Sequence, residues 1–173
     1  SVGPAVARAE EKGTKLVGPG ATSLTLNVNG KDHQVQVEPR MTLLEVLRYQ
    51  LKLTGAKPVA TDGSCGAATV IVDGKPISAA TTLALDCKGK KIQTVESLGG
   101  PEPDQVVKAF AKADAQQCGF CTPGFVVAVR AFLDKHPNAT KEEIRQGLNG
   151  NLCRCGTYYD VIEAALECVK GGS

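Results

Sequence analysis

The chain has 173 residues, 42% hydrophobic and 22% charged, with a formal net charge of +2, a composition typical of a folded globular protein. So small a charge, with no Lys/Arg run, excludes a nucleic-acid-binding patch, and no stretch reaches the roughly 18 uninterrupted apolar residues of a membrane helix. Trp is absent and aromatics make up only 4%, so any core must be aliphatic. Residues 1–21, SVGPAVARAEEKGTKLVGPGA, mix Gly, Pro and charge without a hydrophobic period and are expected to form an extended arm along a partner. The chain starts at Ser1 without Met, from which removal of an upstream segment is expected.

From Ser23 the pattern alternates. SLTLNVNG and KDHQVQVEP predict two strands around an Asn29-Gly30 turn, a strong hairpin signal. Thr42-x-x-Glu45 is a capping box, followed by Leu43, Leu44, Leu47 and Leu51 at helical spacing. A loop containing TDGSCGAATV comes next, then a third strand, ATVIVDG, ended by Asp73-Gly74, and a last strand in KKIQTVE. Strand–strand–helix–strand with a long loop over one end is the order of a β-grasp unit, expected over 22–99.

Gly99-Gly100-Pro101 marks a change of grammar and an expected domain boundary. Asp104 can cap a helix carrying Val106, Val107 and Phe110. Thr122-Pro123 reads as an N-cap followed by Pro at the first helical position, opening the mostly apolar helix GFVVAVRAFLDK. Thr140-x-x-Glu143 is a second capping box, and Val161, Ile162, Ala165, Leu166 and Val169 mark a closing helix. Four short helices over 100–173 predict a small bundle, so the fold class is α+β.

Seven cysteines are the unusual feature: Cys65, Cys87, Cys118, Cys121, Cys153, Cys155 and Cys168. An odd count does not suit a pure disulfide framework, and a chain this long needs no staples. Cys118-x2-Cys121 and Cys153-x-Cys155 form a tight group, the first pair just ahead of a helix and the second in a turn between two others. Helix N-termini lower thiolate pKa values. Four thiolates fit tetrahedral zinc or a [2Fe-2S] cluster, and a disulfide pair is the third reading. The spacing leans against zinc, because structural zinc usually takes two C-x2-C knuckles.

QCGFCTPGF followed by EIRQGLNGNLCRCGTYYDVIEAA resembles the second half of the iron–sulphur subunit of the molybdenum hydroxylases, the xanthine oxidase and aldehyde oxidoreductase family. The resemblance runs from about Ser23 to Val169. It implies a plant-ferredoxin-like β-grasp domain followed by a four-helix domain, each with a [2Fe-2S] cluster, the helical one nearest a molybdenum-pterin cofactor held by a large partner subunit. It implies Cys118, Cys121, Cys153 and Cys155 as metal ligands, with Gln117 and Cys155 approaching the pterin. A flavin subunit or a c-type cytochrome is the implied electron acceptor.

One part of the family pattern is broken. The plant-type frame C-x4-C-x2-C, laid on the β-grasp loop, falls on Ala60, Cys65 and Ala68, and the distant fourth ligand falls on Ala80. Loop length and the glycines Gly63 and Gly66 persist while three of four ligands are alanine, so this site is expected to be vacant. Cys65 and Cys87, with Asp62, are a weaker candidate for a substitute metal; Cys87 and Cys168 read more simply as packed small residues. His33 and His136 read as surface residues, and no nucleophile–base arrangement is evident. The expected function is that of an electron-transfer subunit with one [2Fe-2S] cluster. A subunit of a non-redox molybdenum hydratase and a zinc-stabilised interaction module are the alternatives. The arm, with LLEVLR and LALDCKGKKIQTVESL, resembles the exported branch of the family, which implies a periplasmic protein carried by a twin-arginine signal.

Overall fold

Alternation along the first segment becomes an antiparallel hairpin in the computed structural model, which describes residues 18–171; the expected arm lies, up to residue 17, outside the described residues. Strands β1 (Thr22–Val28) and β2 (Lys31–Val37) pair from Thr22 opposite Val37 to Val28 opposite Lys31. Leu24, Leu26 and Val28 point inward with Val35 and Val37, and the residues between them stay at the surface. Asn29 (φ 53°) and Gly30 (φ 78°) take the left-handed conformation at both turn positions, as a two-residue turn matched to strand twist requires.

Helix α1 begins with one α-helical turn, Leu43–Glu45, and continues as a π-helix over Val46–Gln50. Its capping box is complete: Thr42 N–H donates to Glu45 Oε2 at 2.8 Å, and Glu45 N–H donates to Thr42 Oγ1 at 3.2 Å. Leu51 lies just past the helix and packs at the edge of the core. Strands β3 (Thr69–Val72), β4 (Lys75–Ser78) and β5 (Lys91–Gln93) complete a mixed sheet of order β2-β1-β5-β3-β4, with β1 and β5 parallel. Strand β4 was not expected from the sequence. Asp73 and Gly74 do not simply end β3 but turn the chain into a second hairpin, with Ile71 opposite Pro76. Pro76 argues against a central strand, yet an edge position tolerates its missing N–H, and β4 is the edge.

Four further helices follow: α2 (Gln105–Lys112), α3 (Thr122–Leu133), α4 (Lys141–Gly147) and α5 (Tyr158–Lys170). Asp104 caps α2 by accepting from Val106 N–H at 2.8 Å, and α4 keeps the Thr140/Glu143 capping box. The N-cap of α3 is Cys121, not Thr122: Cys121 already has helical backbone angles, and its carbonyl accepts from Phe125 N–H at 3.1 Å. The helices enclose their own core around Phe125, Val106, Ile144 and Val161. Helix α3 also joins them to the sheet, because Val127 and Ala131 pack on Ile71 of β3 with Val95 and Leu98 alongside. Glycine permits the closest approach, since a Cβ at Gly124 would stand 2.4 Å from the Gly66 carbonyl oxygen. The architecture is α+β, and among the described residues no helix is long and apolar enough to cross a membrane.

The carboxylates of α4 are held in their charged form by local hydrogen bonds. Glu142 is lowered to about 2 by hydrogen bonds from Arg145 and then Gln146, and Glu143 is lowered by the Thr140 backbone N–H and hydroxyl. Folded values below the unfolded 4.5 mean this stabilisation is complete above pH 4.5 and is lost as pH falls towards 2. The side-chain carboxyl NMR signals of Glu142 and Glu143 should therefore titrate below the ordinary 4.5, that of Glu142 near pH 2.

Candidate metal centre

Two short segments carry the four grouped cysteines. The first follows α2: Asp114 (φ 48°) and Gly119 (φ +75°) bend the chain, placing Cys118 at the surface and Cys121, half-buried, at the N-cap of α3. The second joins α4 to α5 and is tied to the sheet's long loop. The Asn151 side-chain amide donates to the Gly66 carbonyl at 3.1 Å, and Leu152 N–H donates to the Cys65 carbonyl at 3.0 Å. Cys153 is buried next to these anchors, and Cys155 is half-buried. Gly66 (φ +69°) cannot carry a side chain here: a Cβ would stand 2.5 Å from the Gly150 carbonyl oxygen.

The thiols stand as two interacting pairs, Cys121 with Cys153 and Cys118 with Cys155. Among the described residues no three His, Cys, Asp or Glu side chains converge on one point as a single ion would need. Burial, then the Cys153 and Cys118 thiols, push Cys121 up to about 12. Burial also acts to raise Cys153, but the Thr157 hydroxyl and N–H, the Cys121 thiol and the Cys155 N–H outweigh it, and Cys153 is lowered to about 7. At Cys155 the Cys118 N–H favours the thiolate, while the Cys118 thiol, burial and Cys153 reverse that, and the net direction is up. Cys153 N–H donates to the Tyr158 hydroxyl at 2.8 Å, and Cys153 Sγ lies 3.1 Å from Thr157 Oγ1. Soft donors in two pairs, one inward and one outward, fit a [2Fe-2S] cluster, in which each iron takes two protein ligands.

Gln117 is exposed beside Cys118. The spacing of the cysteines located the thiols but gave no sign of Thr157 and Tyr158 as their hydrogen-bond partners; only the return of the first turn of α5 onto Cys153 reveals that. Of the positions in the broken frame, Ala68 and Ala80 are buried in the apolar core under the sheet, while Ala60 and Cys65 are half-buried. Cys87 and Cys168 are buried among apolar neighbours. His33 is partly buried and His136, exposed, stacks on Phe132 at 4.7 Å between centroids.

A family model described as "[2Fe-2S] binding domain" matches residues 94–166. The nicotine 6-hydroxylase small subunit of Paenarthrobacter nicotinovorans is 41% identical over 83% of this chain and 87% of its own length. The nicotinate dehydrogenase small FeS subunit of Eubacterium barkeri is 40% identical over 84% and 92%. Among solved structures, quinoline 2-oxidoreductase from Pseudomonas putida 86 superposes with a TM-score of 0.81 at 36% identity, covering 88% of this chain and 98% of that one. Aldehyde oxidoreductase from Desulfovibrio gigas superposes with a TM-score of 0.82 at 34% identity, covering 88% of this chain but 18% of that longer one. These matches are to hydroxylases, dehydrogenases and oxidoreductases, and give no support to a hydratase or a zinc-held interaction module. The chain belongs to the iron–sulphur-binding small subunits of the molybdenum hydroxylases, the xanthine oxidase and aldehyde oxidoreductase family.

Proposed function

We propose that this chain is the electron-transfer subunit of a molybdenum-hydroxylase-type complex and holds one [2Fe-2S] cluster on Cys118, Cys121, Cys153 and Cys155. The observation that carries this reading is the meeting of four thiols, in two pairs, from segments more than thirty positions apart in the sequence. When bound, the cluster supplies a one-electron relay. The chain's residues provide its setting. Cys121 and Cys153 hold the inward side, where Phe125 and Tyr158 pack edge to face at 6.1 Å. Cys118 and Cys155 hold the outward side.

A partner fits that outward face. Phe120, two residues after Cys118, is 51% exposed, Leu152, three before Cys155, is 54% exposed, and Lys57 Nζ sits 5.6 Å from the Phe120 ring centroid. Large apolar side chains left exposed in both cysteine-bearing segments favour a protein partner, here the large subunit that carries the molybdenum-pterin cofactor, with Gln117 and Cys155 the residues that would approach the pterin. The order of elements supports reading residues 22–99 as a β-grasp unit and 100–173 as a helical cluster-binding unit. Alanine at 60, 68 and 80, two of them packed into the apolar core, supports a β-grasp loop without a cluster of its own. Electrons then leave the helical unit directly for an external acceptor, a c-type cytochrome in preference to a flavin subunit. The resemblance of the N-terminal region to exported members supports a periplasmic location; an arginine pair ahead of an apolar stretch in the upstream gene sequence would agree with it.

The chain reduced anaerobically with dithionite, freed of excess reductant and mixed with a c-type cytochrome tests the relay. The expected result is about one electron delivered per chain, from one two-iron cluster. A protein whose visible spectrum does not respond to dithionite would contradict it.

A further inference from the structure

Thr157 is the N-cap residue of α5, a position where threonine ordinarily turns its hydroxyl to a backbone N–H two or three residues on. It makes no such cap bond. Its hydroxyl instead lies 3.1 Å from Cys153 Sγ, and the residue is 3% exposed, so water does not compete for the contact. The neighbouring Tyr158 holds the same cysteine by accepting its N–H at 2.8 Å. With a free thiol, sulphur or oxygen can be the donor. A metal-bound thiolate has no proton to give, so the hydroxyl must donate. A donor to a ligating sulphur spreads negative charge and stabilises the more negative, reduced cluster over the oxidised one.

We propose that Thr157 is a positioning residue that donates a hydrogen bond to the Cys153 thiolate and raises the reduction potential of the cluster. This rests on the assignment of the four cysteines as the cluster's ligands. The test is an EPR-monitored redox titration of the full chain, with iron analysis, on wild type, T157V and T157S. Valine keeps the shape and removes the hydroxyl, while serine keeps the hydroxyl. The expected result is full iron in all three, with T157V shifted to a more negative potential by about tenfold in its redox equilibrium, 59 mV for one electron, and T157S restored to the wild-type value. An unchanged T157V potential overturns the proposal. If T157V loses its iron, T157S decides: wild-type iron and potential assign the role to the hydroxyl, and any other result assigns it to packing and overturns the proposal. A wild-type chain without iron would overturn the ligand assignment itself, which the iron analysis reports separately.

Discussion

Cys153→Ser and Cys121→Ser leave the purified protein with less than about a tenth of its iron. A serine oxygen is a hard donor that stays protonated near neutral pH and replaces a soft thiolate poorly. Stability falls with the metal, because the cysteines come from segments that flank the α3–α4 pair, and the cluster cross-links them only in the folded state. A loss of about 3 kcal/mol, the scale of a structural cross-link, lowers the melting temperature by about 10 °C in a chain this long. Cys65→Ser is the control. Its carbonyl, not its thiol, is used, accepting from Leu152 N–H, so iron content and melting temperature should match wild type. Metal analysis and thermal unfolding of the three variants check this directly. Loss of iron in Cys65→Ser would show that the long loop of the sheet still holds metal.

Gly124→Ala is the second large effect, although no ligand is changed. The new methyl would stand 2.4 Å from the Gly66 carbonyl oxygen and 3.1 Å from Ala67 Cα. Both are backbone atoms and cannot rotate away, so α3 must back off the loop that leads into β3. Overpacking of this kind costs about 3 kcal/mol, again about 10 °C in melting temperature. Cys121 caps the same helix and moves with it, so iron retention falls as well. Gly99→Ala is the matched control, since its methyl would meet nothing closer than the Glu96 carbonyl oxygen at 3.9 Å, and it should be nearly neutral. Urea unfolding of both variants separates a steric cause from a general intolerance of alanine.

What the sequence made legible was mostly local. Asn29-Gly30, the two capping boxes and Asp104 act within four residues, and each appears in the structure where its chemistry placed it. The cysteine spacing marked the site for the same reason: a C-x2-C ahead of a helix and a C-x-C in a turn are short-range patterns. Strand β4 was hidden because Pro76 is unfavourable in a central strand, and only the sheet order shows that β4 is an edge. The start of α3 was misplaced by one residue because Thr122-Pro123 imitates a cap, while the backbone is already helical at Cys121. The contacts that anchor the second cysteine segment, Asn151 to Gly66 and Leu152 to Cys65, join positions more than eighty residues apart. No periodicity records such a pairing. Thr157 is hidden for a subtler reason: its residue type and position suggest a helix cap, and only the fold brings its hydroxyl to sulphur.

Iron and acid-labile sulphide measured per chain on the purified full-length protein test the central claim most directly. Two irons and two sulphides are expected, from a single cluster on Cys118, Cys121, Cys153 and Cys155. Four of each would mean that the alanine-bearing loop assembles a second cluster, and zinc without sulphide would mean that the four thiolates hold no cluster at all.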